Sequence, residues 1–412
     1  MSDKFLAVMY QGSTNNTVTD SAKVFSVTGD IFTQLPVDAI PGTSSFNSRY
    51  CADFTPDGNY LVTGGDNAAG IRLYARSGNA FVKTYESSAA ECYYSIEWSS
   101  TGTYLAVNIG AAPYLLLFKR VGDVLSPLTA PALGLYCPGI TWIGDDYLVC
   151  SVGNVAVPIM IFKRNVGLDT FALISAPPNN FTGGYGLDVC ASSDGLFLAA
   201  VSDLQSGTNL NVFKRNGDSF TRVHSAAIPG RLGDIEFSTM GDYLFISSPA
   251  GNKVLKRNGD NFSEVYSDSL EFGSMPVRVA WSGDDIHIAV SYAGGSNLVY
   301  VYKRVADSFS IASSISPGTS TFVREATWWP NVKRNSRFRA VSGHIYDADG
   351  NPLSRVVRAY NRASGNLISE TVSSEVDGTY FLDALINAEN YIVLLDDTKN
   401  AMIYDHIVPT LP

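Results

Sequence analysis

The chain has 412 residues, of which 45% are hydrophobic and 12% aromatic, and it contains 36 glycines. This composition is typical of a folded, turn-rich protein and excludes a disordered chain. The formal net charge of -10 disfavours a nucleic-acid partner, because nucleic-acid binding rewards a basic surface.

The first residues, MSDKFLAVMYQG, lack the basic and apolar regions of a secretory signal, so we expect a protein made in the cytoplasm. No stretch approaches 18 consecutive apolar residues, and no membrane insertion is expected. The cysteines are odd in number and show no metal-ligand pairing. Free buried thiols are therefore expected at Cys51, Cys92, Cys137, Cys150 and Cys190.

A strand–turn–strand pattern occurs seven times along the chain. An apolar pair precedes each turn and an aromatic or apolar residue follows it, while Asn-Gly-Asp and its variants supply the positive φ of a short hairpin. The copies are VFSVTGDIF from Val24, LYARSGNAF from Leu73, LFKRVGDVL from Leu117, IFKRNVGLDTF from Ile161, VFKRNGDSF from Val212, VLKRNGDNF from Val254 and VYKRVADSF from Val301. Their spacing of roughly 42 to 51 residues fits the four-stranded blades of a propeller.

A second hairpin alternates with the first. Its copies are FTPDGNYLVTGG from Phe54, WSSTGTYLAVNIG from Trp98, WIGDDYLVCSVG from Trp142, ASSDGLFLAAVS from Ala191, FSTMGDYLFISS from Phe237 and WSGDDIHIAVSY from Trp281. The seventh copy is split between Ala326–Pro330 and Lys4–Tyr10. We predict that these two segments share one blade, because this pairing closes the ring and leaves no sheet edge unpaired.

These repeats resemble WD-repeat-like and related seven-bladed propellers over residues 1–332. The resemblance implies an all-β fold, a seven-bladed β-propeller closed by N- and C-terminal strands. The Gly-His and Trp-Asp signatures of true WD repeats are absent, so the resemblance implies no partner.

The pattern changes after a short basic linker. Alternating apolar and polar residues with frequent turns predict a small β-sandwich over residues 339–412. Gly343, the turn Asp349–Pro352, the turn Asp377–Tyr380 and Tyr391 resemble the carboxypeptidase regulatory-like, or transthyretin-like, β-sandwich. The ending NAMIYDHIVP, residues 400–409, resembles the ending of many virion proteins of tailed bacteriophages and prophages.

No nucleophile elbow, His-Glu-x-x-His, glycine-rich phosphate loop or paired-cysteine motif occurs in the sequence. We therefore expect no catalytic residue, no metal and no cofactor. Asp347, Asp349 and Asn351 have the alternate spacing of a calcium loop, but turn chemistry is favoured because a downstream bidentate carboxylate is missing.

The inner strand of each blade is expected to place one side chain towards the central channel, three residues before the strand ends. These positions are Cys51, Ser95, Gly139, Asp188, Asp234, Arg278 and Glu325. The ionisable members, Asp188, Asp234, Arg278 and Glu325, form either a satisfied ion-pair network or a cation or small-ligand site of the type seen in propeller lactonases and lyases.

The two faces of the ring differ in chemistry. One carries repeated Lys-Arg pairs, which either solubilise the rim or dock an acidic partner. The other carries longer loops rich in Tyr, Ser, Asn and Gly, a composition typical of binding loops. Candidate binding residues on this loop face are Tyr10, Asn15, Asn16, Tyr50, Tyr93, Tyr94, Tyr136, Asn179, Asn180, Tyr185 and Tyr292.

The resemblance of the ending implies a non-enzymatic structural protein on the outer surface of a tailed-phage virion, associated with the tail or tail tip. The sandwich is then expected to contact other virion proteins, and the propeller to recognise a glycan or protein of the host envelope. Three alternatives remain open: a capsid decoration protein, a propeller enzyme of the lactonase or lyase type with a metal in its channel, and a bacterial cell-surface adhesin, which a secretion signal would distinguish.

Overall fold

Each pair of alternating hairpins forms one four-stranded antiparallel sheet in the computed structural model. In the described part of the chain, residues 4–329 form seven such sheets, and no helix is present. The predicted all-β, seven-bladed propeller is therefore confirmed. A helix long and apolar enough to cross a bilayer does not occur among the described residues.

The structure describes residues 4–12, 22–35, 51–65, 70–77, 80–87, 92–153, 158–174, 177, 181, 184–203, 207–230, 232–268, 275–293, 299–315, 321–329, 338–347, 349–361, 367–374, 378–385, 390–395 and 402–407. Contacts within the chain define two units, residues 3–333 and 334–412.

We number the blades from the first complete one and give the strands of each from the inner to the outer edge. Blade 1 contains Cys51–Phe54, Tyr60–Gly64, Ile71–Ser77 and Ala80–Glu86. Blade 2 contains Cys92–Trp98, Tyr104–Ile109, Leu115–Val121 and Val124–Leu128. Blade 3 contains Ile140–Ile143, Tyr147–Ser151, Ile159–Asn165 and Thr170–Leu173. Blade 4 contains Gly186–Ala191, Phe197–Ser202, Leu210–Asn216 and Ser219–Ala226.

The remaining three blades follow the same order. Blade 5 contains Ile235–Phe237, Tyr243–Ile246, Lys253–Asn258 and Asn261–Ser267. Blade 6 contains Met275–Trp281, His287–Ala293, Val299–Val305 and Ser308–Ile315. Blade 7 contains Thr321–Trp329, Lys4–Gly12, Ala22–Thr28 and Ile31–Gln34.

Blade 7 joins the two ends of the propeller. The strand Lys4–Gly12 pairs antiparallel with Thr321–Trp329 on one side and with Ala22–Thr28 on the other. Val8 lies opposite Ala326 in the first of these pairings. The predicted closure of the ring is confirmed.

The core lies between neighbouring blades. Leu6 and Trp328 of blade 7 pack in one buried cluster with Val301 of blade 6, and none of the three is exposed. The second strand of a blade is covered on both faces, which explains why its apolar run is continuous in the sequence.

The Lys and Asp residues of the outer hairpins connect one blade to the next. Lys119 of blade 2 pairs with Asp169 of blade 3 at 2.7 Å, and the Tyr104 hydroxyl donates to the same carboxylate at 2.6 Å. Arg164 of blade 3 lies over the Tyr104 ring, 4.9 Å from its centroid. We call each such Lys–Asp pair a latch. The other latches join Lys163 to Asp218, Lys214 to Asp260, Lys256 to Asp307 and Lys303 to Asp30. The lysine charges are thus balanced within the ring.

The cysteines differ from one another. Cys137, Cys150 and Cys190 are free and buried, as expected. The expectation of a free thiol is wrong for Cys51, which is disulfide-bonded. The spacing of cysteines along the sequence does not show which of them meet in the fold. The side chain of Cys92 lies outside the described residues.

The second unit contains two sheets. Phe338–His344 pairs with Thr379–Leu385, and a four-stranded sheet has the order Leu367–Val372, Val356–Asn361, Asn390–Leu395 and Met402–Ile407. Tyr380 of the first sheet packs against a core that contains Val357 and Ile392 of the second. The assignment of this unit to the carboxypeptidase regulatory-like family stays a prediction.

One turn of this unit follows the chemistry expected from the sequence. Asp347 Oδ1 accepts the backbone N–H groups of Asp349 at 2.9 Å and Asn351 at 2.8 Å. The Asp347 carboxylate therefore organises a turn, as favoured over a calcium loop. Gly343 lies so close to Tyr380 that a Cβ would come within 2.7 Å of its ring.

Candidate functional site: the central channel

An ion pair crosses the centre of the propeller. Arg278 of blade 6 donates from Nη2 to Glu97 Oε1 of blade 2. Two blades separate blade 6 from blade 2 on one side of the ring and three on the other, so these side chains meet only across the axis. The pair therefore identifies side chains that project into the central channel.

Strand geometry explains which other residues share this position. Arg278 lies three residues before the end of its inner strand, and Glu97 lies one residue before the end of its own inner strand. Alternate residues of a strand lie on the same face, so these two positions are equivalent. Counting three residues back had predicted Arg278, whereas Glu97 was missed. Counting one residue back would have found the acidic side chains Asp53, Glu97 and Glu236.

A pair of buried carboxyl groups lies next to this ion pair. Asp188 in blade 4 and Asp234 in blade 5 are 6% and 4% exposed, and each carboxyl group affects the pKa of the other. Arg278 Nη1 lies 3.6 Å from Asp234 Oδ1. The structure thus brings together three of the four predicted ionisable channel residues.

The two carboxyl groups differ in charge. Burial raises the pKa of Asp234 well above its ordinary value, and the neighbouring charge of Asp188 raises it further. Burial also raises the pKa of Asp188, but Arg278 and the hydrogen bond from Asp234 oppose that rise. Two buried carboxyl groups that affect each other do not both ionise readily, so Asp234, whose pKa is raised further, keeps its proton to higher pH than Asp188 does.

The same carboxyl groups also hold neighbouring blades together. Asp188 Oδ2 accepts the backbone N–H of Ile235 at 3.0 Å, and Asp234 Oδ2 accepts that of Val279 at 2.6 Å. In blade 1, Asp53 accepts the N–H of Trp98 at 3.0 Å. The accepted N–H groups lie on inner strands, whose outer side alone is paired within the blade. These bonds fix the orientation of both members of the pair.

Gly139 of blade 3 makes room for Asp188. A Cβ at Gly139 would lie 2.6 Å from Asp188 Oδ1 and 2.8 Å from the Asp188 Cα. The N–H of Gly139 donates to Ser151 Oγ at 2.8 Å, which holds the glycine in place. Only glycine therefore lets blade 3 approach the carboxyl pair without a shift of the backbone.

The remaining predicted channel residues lie on the inner strands of blades 1, 2 and 7. Cys51 and Ser95 are buried on the inner strands of blades 1 and 2. Glu325 lies in the inner strand of blade 7, and its side chain is outside the described residues.

The predicted loop face is described only in part. Tyr185 is 50% exposed and Tyr136 is half-buried. The prediction for Tyr292 is wrong: it is 1% exposed and its hydroxyl donates to Asn252, because it belongs to the second strand of blade 6 and packs between blades. Tyr10, Tyr93 and Tyr94 lie in strands and their side chains are not described, whereas Asn15, Asn16, Tyr50, Asn179 and Asn180 lie outside the described residues.

The channel cluster combines three chemical capacities. A protonated carboxyl can donate a proton, an ionised carboxyl can accept one, and a guanidinium can stabilise a developing oxyanion. Within the described part of the chain, no group of three or more His, Cys, Asp or Glu side chains is arranged to hold a metal ion.

Comparison with known proteins finds no matching family model and no matching curated protein. Solved structures do match. A putative 6-phosphogluconolactonase from Bacteroides uniformis ATCC 8492 has a TM-score of 0.60 and 13% identity, over 80% of this chain and 100% of that one. The periplasmic gluconolactonase of Pseudomonas aeruginosa has a TM-score of 0.60 and 15% identity, over 78% and 99%. The β-propeller domain of Cps50 (Swd1) from Myceliophteria thermophila has a TM-score of 0.50 and 14% identity, over 68% and 90%.

At these identities the likeness establishes the propeller fold alone. It corrects the expectation drawn from the C-terminal ending, since the propellers matched here include lactonases. The lactonases among these matches contradict the interpretation as a non-enzymatic virion structural protein and the expectation that the chain is not an enzyme. The ending that suggested it lies in the second unit, apart from the propeller that carries the likeness.

Proposed function

We propose that the propeller hydrolyses the lactone of a sugar acid in its central channel. The observation that carries this proposal is the carboxyl pair Asp188–Asp234 beside the Arg278 guanidinium. The fold shared with a gluconolactonase supports the reaction class.

The roles follow from the charge states of the pair. The ionised Asp188 removes a proton from a water molecule as its oxygen bonds to the lactone carbonyl carbon. Arg278 stabilises the resulting oxyanion. Asp234 gives its proton to the ring oxygen as the bond from that oxygen to the carbonyl carbon breaks. The product is the open hydroxy acid, and the proton taken up by Asp188 returns to Asp234 or to water.

The test is hydrolysis of glucono-δ-lactone and of 6-phosphogluconolactone, measured as acid release and corrected for the spontaneous reaction. We expect Asp188→Asn and Asp234→Asn to lower kcat/KM by about 100-fold or more, the usual contribution of a positioned acid or base. The carboxyl-to-amide change keeps the shape of the side chain and an acceptor for the backbone N–H.

Asp260→Asn is the matched control, since it makes the same change at an exposed latch far from the channel carboxyl pair. It should leave hydrolysis unchanged. If the unmodified protein hydrolyses neither lactone faster than buffer, or if the two channel variants retain full activity while folded, the proposal is overturned.

A further inference from the structure

The Arg278 guanidinium lies between two carboxyl groups of the channel. Its Nη2 donates to Glu97 Oε1 across the axis, whereas its Nη1 lies 3.6 Å from Asp234 Oδ1. A charge-assisted hydrogen bond from nitrogen to a carboxylate is about 2.7–2.9 Å long, so Nη1 does not reach Asp234. The Arg278 and Glu97 side chains are 14% and 5% exposed, so water competes little with their contact.

The shape of the guanidinium links these two distances. Its nitrogens belong to one rigid, planar group, so a bond made by one nitrogen limits where the others can reach. The bond from Nη2 to Glu97 therefore sets the distance between Nη1 and Asp234. Asp234 itself is held in place, because its Oδ2 accepts the backbone N–H of Val279 at 2.6 Å.

The side chains around Asp234 differ in how they act on its charge. Burial raises the pKa of Asp234 most, the charge of Asp188 in blade 4 raises it further, and the charge of Arg278 in blade 6 lowers it. Burial also raises the pKa of the Cys190 thiol, which therefore stays neutral. Glu236 is a further acid, two residues after Asp234 in the chain. Among these side chains, Arg278 is the one cation.

A hydrogen bond from Arg278 would change the protonation of Asp234. Hydrogen bonding to the charged form of a carboxyl group, by a group of opposite charge, lowers the pKa of that carboxyl. If Nη1 reached Asp234 Oδ1, Asp234 would lose its proton at a lower pH. A general acid must still hold its proton at the pH of the reaction, so Asp234 can serve as one only while Arg278 stays at a distance.

We infer that Glu97 is a positioning residue: it holds Arg278 away from Asp234, so that Asp234 keeps the proton that the opening of a lactone requires. Glu97 acts through Arg278 and need not contact a substrate. Its part in hydrolysis rests on the proposed function, whereas its effect on Asp234 is present without any substrate.

Titration of Asp234 measures this effect without a ligand. NMR of protein with isotope-labelled aspartate follows the carboxyl groups, and the signal that is missing from Asp234→Asn identifies Asp234. Glu97→Gln removes the charge that holds Arg278, so the pKa of Asp234 should fall by about 1 or more. Glu264→Gln is the control and should leave that pKa unchanged, because it makes the same chemical change at the more exposed ion pair with Lys253 in blade 5.

Two further variants separate positioning from direct repulsion, since the loss of a nearby negative charge would by itself lower the same pKa. Glu97→Asp keeps the charge but ends one methylene group short of Arg278, so positioning predicts a fall in the pKa of Asp234 and repulsion predicts none. Arg278→Gln removes the group through which Glu97 acts. Adding Glu97→Gln to Arg278→Gln should therefore change the pKa of Asp234 no further.

The inference is overturned if folded Glu97→Asp keeps the Asp234 pKa of the unmodified protein, or if Glu97→Gln lowers that pKa equally with and without Arg278. Should Glu97→Gln fail to fold, the smaller change Glu97→Asp still decides. Where the lactones are hydrolysed, the pH above which the rate declines should fall together with the pKa of Asp234. If neither lactone is hydrolysed, the proposed function fails, and the titration alone decides the role of Glu97.

Discussion

At the scale of the residue, Asp234 combines a raised pKa with a hydrogen bond from the backbone of the next blade. Its Oδ2 accepts the N–H of Val279, while burial and the charge of Asp188 raise its pKa. A carboxyl with a raised pKa binds its proton more tightly in the folded state than in the unfolded state. Its contribution to stability is therefore greatest at low pH and falls as pH rises from the unfolded pKa through the folded one.

Asp234→Asn should remove that pH dependence. The asparagine keeps an acceptor for Val279 and cannot ionise, so its midpoint of thermal unfolding should change less between pH 5 and pH 8 than that of the unmodified protein. The comparison requires melting curves of both proteins at both values, with Asp260→Asn as the control. If the unfolding midpoints of the Asp234→Asn and unmodified proteins change by the same amount between pH 5 and pH 8, Asp234 is ionised over that whole range.

Gly139→Ala tests the close approach of blade 3 to Asp188. The new Cβ must displace the Asp188 carboxyl and its backbone, so we expect a loss of about 1–3 kcal/mol in the free energy of unfolding together with reduced lactone hydrolysis. Gly167→Ala is the control, since the nearest atom to its Cβ would be 3.7 Å away. Denaturant unfolding measures the free energy of unfolding of the two variants. An equal decrease in both would disprove the steric explanation.

Sequence analysis found Asp188, Asp234 and Arg278 because alternation along a strand is a local property. It missed Glu97 because only one position of each inner strand was counted, although the alternate residue nearer the strand end lies on the same face. It misplaced Tyr292 because this residue was assigned to a loop, whereas it belongs to the strand His287–Ala293.

At the scale of the element, the outer hairpins reverse the chain and also connect neighbouring blades through the latches. Gly217 and Gly259 adopt a φ of 60° in their hairpins, as the Asn-Gly-Asp motif predicted. The partner of each aspartate was not predictable in the same way. Asp169 bonds Lys119, which lies 50 residues earlier in the chain and in the preceding blade.

Latches with more partners should contribute more stability. Asp169 accepts from Lys119, Tyr104 and Arg164, and its side chain is 21% exposed. Asp169→Asn should lower the free energy of unfolding by about 1–2 kcal/mol at pH 7. Asp260→Asn should lower it less, because its latch with Lys214 is more exposed. The strand residue paired with Lys214 is Phe197, which has no hydroxyl, whereas Tyr104 is paired with Lys119. Urea unfolding of the two variants provides the comparison, and an equal loss in both would contradict it.

The Asp169 latch also has a defined pH range. Hydrogen bonds from Lys119 and Tyr104 hold the pKa of Asp169 below its ordinary value. A carboxyl with a lowered pKa stabilises the fold above its unfolded pKa and loses that contribution as pH falls through the folded one. The difference between the unmodified and Asp169→Asn proteins should therefore shrink below about pH 4.

At the scale of the whole molecule, the ring depends on one strand from the beginning of the chain. Without Lys4–Gly12, the inner strand Thr321–Trp329 loses its in-blade partner and Ala22–Thr28 loses one neighbour. A chain that starts at residue 13 should therefore associate through its open edges and lose its cooperative melting transition. Size-exclusion chromatography and thermal melting test this expectation.

A synthetic peptide of residues 1–12 should restore a monomeric species when it is added to the truncated chain. A scrambled peptide of the same composition is the control, because it lacks the alternation that places Leu6 and Val8 in the core. If the truncated chain is monomeric and melts normally by itself, the ring does not need this strand.

The closing strand has a consequence for the order in which the protein is made. Leu6 and Val8 leave the ribosome about 320 residues before the residues opposite them, Trp328 and Ala326, which are among the last of the propeller to be synthesised. At about 5–20 residues per second, the interval is on the order of tens of seconds. During translation this segment has only Ala22–Thr28 to pair with, so the nascent chain presents an apolar edge that chaperones can bind until synthesis of the propeller is complete.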